Sequence, residues 1–350
     1  AWTMGLLTVL FSVIGYIGSP LFLRLLRVPD DCIGYGITYL KIIFAFTGGT
    51  MLFNFASSIL RSTGDSRTPL YALVVASLAN IALDLLLILG AGFGVRGAAI
   101  ATVISQFVSG ILCMGAIIRN RAAFGFDTDT GWLPDVASIR LVVTTSIPAT
   151  FQSCMISIGG IFVQRLINSF GAATLAGYIA ASKVDSLAIQ VILSVGNALC
   201  VFTGQNIGSN RIDRVKTALK QSQLIMLASA VVIATCAYLF RFRVMGLFLN
   251  ADTEPEAIVI GATYLSIMGV AYLICAIMQS YQNVIRGAGD VTVCMIAGLT
   301  ELGGRILFAY LLSPLFGSTG IWIATPISWA CGCIIPVIRY YSGKWEARRL

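Results

Sequence analysis

The residues best suited to chemistry in this sequence are Asn80 and Asp84, within the apolar stretch from Pro69 to Gly90. They are four residues apart, so a helix would place both side chains on one face. A carboxylate inside a segment long enough to cross a membrane is costly, and by default it marks a functional site. Together with Thr102 on the next apolar segment, they offer one carboxylate and neutral oxygens. That set suits a hard monovalent cation or a proton.

The position of these residues along their helices favours a shared site. Asp84 and Thr102 each lie five or six residues from the ends of their segments that a short glycine-rich loop joins. At 1.5 Å per residue, both would lie about 9 Å below the same membrane surface. The alternative is a polar patch that only holds two helices together.

Asp185 is the second candidate for a functional acid within an apolar segment. Lys183 is two residues away and does not face it on a helix. Asp185, with Gln190 nearby, is predicted to line a substrate cavity as the anion for a cationic substrate or a proton. The alternative is an ion pair with a basic residue of another helix, such as Arg165.

Two further acidic positions have structural interpretations. Glu301 and Arg305 are four residues apart in the favourable order, which predicts a self-contained ion pair on one helix face. The stretch GAGD at 287–290 matches part of an intramembrane aspartyl protease motif, but the Tyr-Asp partner motif does not occur in the sequence. Asp65 and Asp290 follow glycines in equivalent turns and are interpreted as helix N-caps.

The composition predicts an all-α membrane protein that crosses the bilayer several times. The 350 residues are 57% hydrophobic and 11% charged, whereas soluble chains carry about 25% charged residues. Each apolar span approaches or exceeds the ~20 residues needed to cross a bilayer. We predict ten spans, at roughly 1–23, 34–60, 69–90, 97–118, 138–168, 172–206, 217–240, 256–285, 291–313 and 318–340.

The basic residues lie in short loops and predict the orientation of the chain. With the C-terminus in the cytoplasm, 14 Lys and Arg residues lie inside and 6 outside. This bias follows the rule that cytoplasmic loops are positive. The same scatter argues against binding to nucleic acid.

An internal repeat divides the chain into two lobes. Residues 33–65 align without a gap to 258–290 with 9 identities in 33, and residues 93–106 align to 316–329 with 8 in 14. The paired segments run in the same membrane direction, which indicates a parallel repeat. The predicted domains are an N-terminal lobe of four helices (1–120), a cytoplasmic loop (121–136), a C-terminal lobe of six helices (137–342) and a cytoplasmic tail (343–350). The unequal lobes lead us to expect that two helices of a twelve-helix protein precede this sequence.

Several motifs resemble those of the multidrug and toxic compound extrusion (MATE) family. They are RSTGDSRTP at 61–69, NIALD at 80–84, GVRGAAIAT at 94–102, GQNIGSNRIDRVK at 204–216 and VIRGAGD at 284–290. The resemblance extends through essentially the whole chain, beginning at the third helix of the family. It implies two pseudo-symmetric helical lobes with ten of twelve transmembrane helices present. It also implies that Asn80, Asp84 and Thr102 occupy the family's ion site, which further uses an Asp on the first helix.

The function that this resemblance implies is secondary active efflux rather than catalysis. We expect a monomeric antiporter in the inner (plasma) membrane that exports amphipathic, cationic compounds in exchange for Na⁺ or H⁺. No other cofactor or metal is expected. A lipid-linked oligosaccharide flippase of the same superfamily and an intramembrane aspartyl protease are the alternatives.

Overall fold

The computed structural model describes residues 2–25, 30–120 and 136–346 and is built from α-helices. In chain order they are α1 (Trp2–Leu25), α2 (Asp30–Ala45), α3 (Gly48–Ser62), α4 (Arg67–Asp84), α5 (Gly94–Arg119), α6 (Val136–Asn168), α7 (Ala172–Gly208), α8 (Ile212–Met245), α9 (Pro255–Gly287), α10 (Val291–Phe316) and α11 (Ser318–Tyr341). A six-residue π-helical segment, Leu85–Gly90, continues α4.

The predicted membrane spans are confirmed. Within the described ranges, nine helical spans are long and apolar enough to cross a bilayer, and a bent pair, Cys32–Ala45 with Gly48–Ser62, makes a tenth. Many large apolar side chains are exposed, such as Leu6, Leu89 and Leu187. This exposure is expected where a helix faces hydrocarbon rather than water.

The second predicted span, at roughly 34–60, bends by 47° between α2 and α3. At the bend, the Thr47 hydroxyl donates to the Phe44 carbonyl at 2.9 Å. The next helix begins with two glycines, and a Cβ on Gly49 would lie 2.9 Å from the Phe107 ring and 3.1 Å from its backbone nitrogen. The close approach of α5 therefore requires glycine at this position.

The chain divides into two compact units, residues 1–139 and 140–350. In the first unit α5 packs against α2, α3 and α4, around a small core of buried residues. That core comprises Phe53, Ala56, Leu60, Ala72, Cys113 and Ile117. The predicted loop 121–136 lies outside the described residues except for its last position, as do 347–350 of the predicted tail.

The second unit is organised around α9, which packs against α7, α8 and α11. Small residues allow the close contact between α7 and α9. A Cβ on Gly177 would lie 2.5 Å from the Ala257 carbonyl oxygen and 3.1 Å from the Gly261 nitrogen. Gly-lined contacts of this kind are typical of packed membrane helices. Both α6 and α7 are continuous helices through Pro148 and Gly196.

The equivalent turns of the repeat differ in detail. Asp65 caps α4: its Oδ1 accepts from the backbone N–H groups of Arg67 and Thr68, each at 3.0 Å. The Thr68 hydroxyl donates to Oδ2 at 2.6 Å. This hydroxyl, and then the backbone N–H of Thr68, hold the pKa of Asp65 below its usual value. Asp290 instead binds Arg339, whose Nε lies 2.7 Å from Asp290 Oδ2.

Candidate functional site

The predicted ion site lies in the first unit, where α4 ends and the π-helical segment begins. Asp84 is the last residue of α4, and Asn80 is one turn earlier. A π-helical turn disturbs the regular backbone ladder and is frequent at functional sites. Both residues are half-buried, yet Asn80 Nδ2 and Asp84 Oδ1 are buried atoms with no hydrogen-bond partner among the described residues.

These two unpartnered atoms fit a small cation or a proton. A buried carboxylate oxygen without a partner carries a desolvation cost that a bound cation or proton would offset. A half-turn of the Asn80 amide about Cβ–Cγ would exchange its nitrogen for its oxygen, which is the atom that a cation requires. No group of three or more His, Cys, Asp or Glu that could hold a metal ion occurs in the described part of the chain. The donor set is therefore one carboxylate with neutral oxygens.

Thr102 lies on α5, which packs directly against α4 and the π-helical segment. The link between them is tight: the Phe93 N–H donates to the Leu87 carbonyl at 2.9 Å. A Cβ on Gly97 would lie 3.1 Å from the same carbonyl oxygen. The Thr102 hydroxyl donates to the Ala98 carbonyl at 2.9 Å, so its lone pairs remain as acceptors.

The second unit contains a cavity of about 490 Å³. It is lined by residues of α6, α7, α9, α10 and α11, and both Asp185 and Glu301 reach it. Gln190 is not among the lining residues, and its side chain is exposed. Ile189 and Leu193 line the cavity from the same helix.

Asp185 is held by two tyrosines of α9. The Tyr272 hydroxyl donates to Asp185 Oδ1 at 2.7 Å, and the Tyr264 hydroxyl donates to Oδ2 at 3.1 Å. The alternative prediction of an ion pair with Arg165 is not supported, because the three ion pairs of the described residues do not include Asp185.

Three aromatic rings, which we call the aromatic cluster, pack against one another next to this carboxylate and line the cavity. Tyr178 stacks on Trp322 with ring centroids 5.4 Å apart, and Tyr264 meets Trp322 edge-on at 5.0 Å. Aromatic faces attract organic cations, most strongly where water is excluded. This aromatic cluster was not predicted from the sequence. The available signal was the spacing of Tyr264 and Tyr272, which places both on one face of α9.

Glu301 and Arg305 form an ion pair on α10. Arg305 Nη2 lies 2.8 Å from Glu301 Oε1, and Trp329 Nε1 donates to the same oxygen at 3.1 Å. Both charged side chains line the cavity, but each neutralises the other. Of the two acids that line the cavity, Asp185 is therefore the one without an ion pair among the described residues.

The MatE family model matches residues 1–86 and 148–311. The chain belongs to this family. Among curated MatE relatives, the probable multidrug resistance protein YoeA of Bacillus subtilis is 29% identical over 99% of this chain and 76% of its own length. NorM of Thermotoga maritima, described as a probable multidrug resistance protein, is 26% identical over 89% of this chain and 67% of its own.

Solved MatE structures have the same fold as this chain. A Vibrio cholerae MATE transporter, VcmN, matches 98% of this chain and 78% of its own with a TM-score of 0.90 at 20% identity. A MATE structure in the bent conformation matches 96% of this chain and 76% of its own with a TM-score of 0.88 at 21% identity. The chain is thus a multi-pass membrane protein of a family of transporters, which is not an enzyme family.

Proposed function

We propose that this protein is a secondary active antiporter that exports amphipathic, cationic compounds across the plasma membrane in exchange for Na⁺ or H⁺. The observation that carries the proposal is the pair of buried, unpartnered polar atoms on Asn80 and Asp84. Two multidrug resistance proteins among its relatives support the same function. The basic residues of the loops support a cytoplasmic C-terminus.

The coupling follows from charge. An empty Asp84 carboxylate inside a membrane segment is costly, and a bound cation or proton removes that charge. A ligand can shift a conformational equilibrium only by its difference in affinity between the two states. We infer that occupation of Asp84, with Asn80 and Thr102, changes which packing of the first lobe is favoured. Na⁺ and H⁺ are both compatible with this donor set.

The substrate side of the proposal rests on the second lobe. Asp185 supplies a negative charge, and the aromatic cluster of Tyr178, Tyr264 and Trp322 supplies aromatic surface for an organic cation. The cavity volume of about 490 Å³ lies in the range of small-molecule sites. The proposal places no catalytic step and no further cofactor in the protein.

The experiment is counterflow of the cation ethidium from proteoliposomes, driven by an imposed Na⁺ gradient or an imposed H⁺ gradient. Asp84→Asn should abolish gradient-driven ethidium transport because the amide carries no exchangeable charge. Asp213→Asn removes an exposed acid elsewhere and is the matched control. Full transport by Asp84→Asn under both gradients would refute the assignment, and the gradient that drives the unmodified protein identifies the coupling ion.

The two alternatives make different demands. A flippase for a pyrophosphate-linked substrate needs a cluster of positive charges, whereas two arginines line the cavity, Arg286 and Arg305, and Arg305 is already paired with Glu301. A protease would need Asp290 as a catalytic acid, and this residue is 1% exposed and bound to Arg339. These observations favour the antiporter.

A further inference from the structure

Arg286 places a positive charge in the cavity of the second unit without a matching acid. It lies near the end of α9, is half-buried, and lines the cavity. Its Nη2 donates to Gln152 Oε1 at 3.2 Å. Its Nε is buried and has no hydrogen-bond partner among the described residues.

The acids closest in sequence or in the cavity are already engaged. Asp290, four residues after Arg286, accepts from Nε and Nη2 of Arg339, each at 2.7 Å. Glu301 is paired with Arg305 at 2.8 Å. Across the described ranges, no ion pair within 4.0 Å includes Arg286. Its guanidinium group is therefore stabilised by neutral groups alone.

Amide side chains line the same cavity as this guanidinium group, and one of them, Gln152, is in contact with it. Gln152 and Gln282 are 6% and 4% exposed, and both line the cavity together with Gln279. Gln279 Oε1 accepts from Asn283 Nδ2 at 3.1 Å, which leaves the Gln279 amide N–H groups as donors. Amide N–H groups next to a guanidinium group are suited to the oxygens of a carboxylate or phosphoryl group.

The Arg286 guanidinium group lies away from Asp185 and the aromatic cluster. Arg286 comes fourteen residues after Tyr272 on α9, which corresponds to about 21 Å along the helix axis. An arginine side chain shortens that distance but does not close it. A small molecule bound at Asp185 would therefore leave the part of the cavity next to Arg286 open.

We propose that Arg286, with the amides of Gln152, Gln279 and Gln282, binds the acidic group of an amphipathic ligand, a carboxylate or a phosphoryl group. The physical reason is that a half-buried charge without a counter-ion is costly, and a ligand anion offsets that cost. The inference rests on the proposed function only in assuming that substrates enter this cavity. It widens the substrate class from cations to include acidic amphiphiles.

The test compares two probes with the same ring, 1-naphthoate and 1-naphthylmethylammonium. Binding is measured by quenching of tryptophan fluorescence, because Trp322 and Trp329 line the cavity. The protein is held in nanodiscs of phosphatidylcholine. Arg286→Gln should weaken naphthoate at least about tenfold, the size expected for one charge-assisted hydrogen bond. The affinity for the ammonium probe should stay within about twofold.

Three further variants separate charge from folding. Arg286→Lys keeps the charge and should restore part of the naphthoate affinity. Arg214→Gln removes an exposed arginine and should leave both affinities unchanged. Asp185→Asn should weaken the ammonium probe and spare naphthoate. The inference is overturned if naphthoate does not bind the unmodified protein, if Arg286→Gln leaves its affinity unchanged, or if that variant weakens both probes equally.

The acidic group could belong to a soluble molecule or to a lipid headgroup. Displacement of naphthoate by inorganic phosphate would support a soluble anion. Weaker naphthoate binding in nanodiscs in which phosphatidylglycerol replaces part of the phosphatidylcholine would support a headgroup. Neither measurement involves transport or Asp84. Failure of the antiporter proposal in proteoliposomes would therefore be distinguishable from failure of this one.

Discussion

Breaking the buried ion pair between Asp290 and Arg339 by removing one partner should cost more stability than breaking an exposed pair. It joins the start of α10 to the end of α11, and Asp290 is 1% exposed. Arg339 donates with both Nε and Nη2 to one oxygen, each at 2.7 Å. Arg339→Gln removes the positive partner of a buried carboxylate, and such a change costs about 3–5 kcal/mol.

The comparison pair is Lys216 and Glu346, which are 2.9 Å apart with side chains 46% and 35% exposed. Water and salt screen a pair of this kind, so Lys216→Gln should change the free energy of unfolding very little. The assay is unfolding in mixed detergent micelles with increasing dodecyl sulfate, followed by tryptophan fluorescence. Trp345 is a suitable reporter because it is buried and stacks on Tyr340.

A double variant distinguishes lost charge compensation from lost packing. Asp290→Asn combined with Arg339→Gln removes both charges, so it should recover much of the stability that Arg339→Gln loses. If Arg339→Gln is no more destabilising than Lys216→Gln, the reasoning from burial is wrong. If the double variant is no better than the single one, the loss comes from packing rather than from the uncompensated carboxylate.

Two other predictions use the same unfolding assay. Gly177→Ala should destabilise by about 1–3 kcal/mol, because its Cβ would lie 2.5 Å from the Ala257 carbonyl oxygen, whereas Gly208→Ala, with no atom within 4 Å, should not. Asp65→Ala should cost about 1 kcal/mol at neutral pH by removing a helix cap. Because folding lowers the pKa of Asp65, its contribution is present above the unfolded pKa and lost as pH falls through the folded value. The difference between Asp65→Ala and the unmodified protein should therefore shrink on acidification, and a constant difference would contradict the cap.

The membrane spans could be predicted from the sequence because length and apolar composition are local properties. The bend between α2 and α3 could not be predicted in this way. At the bend Gly49 lies against Phe107, which is far away in the chain. The sequence does not distinguish the pair Gly48 and Gly49 from the pair Gly159 and Gly160, which lies within the continuous helix α6.

The residues of the candidate sites also differ in whether they could be predicted from the sequence. Asn80 and Asp84 could be found from their four-residue spacing, because both lie on a single helix. The tyrosines that bind Asp185 could not be assigned, since they come from α9 and Asp185 from α7. Arg286 was interpreted as one of the basic residues that orient the chain, and its place in a cavity depends on five helices meeting there.

The repeat aligns the helices of the two lobes but does not align their charges. With an offset of 225 or 223, Asp84 corresponds to Ala309 or Leu307, and both are apolar. Glu301 corresponds in turn to Ala76 or Leu78. A carboxylate inside a membrane helix needs a partner or a ligand wherever it lies. Glu301 has Arg305 and Trp329 as partners, whereas one oxygen of Asp84 has none among the described residues.

Because of this difference, we expect Asp84 and Glu301 to have different roles, although their helices, α4 and α10, are equivalent in the repeat. Glu301 keeps its basic partner in any movement of the lobes, because Arg305 is on the same helix. Asp84 has no such companion among the described residues, and in the proposed antiporter the coupling ion balances its charge. A coupling ion is expected at the acid that lacks a permanent partner.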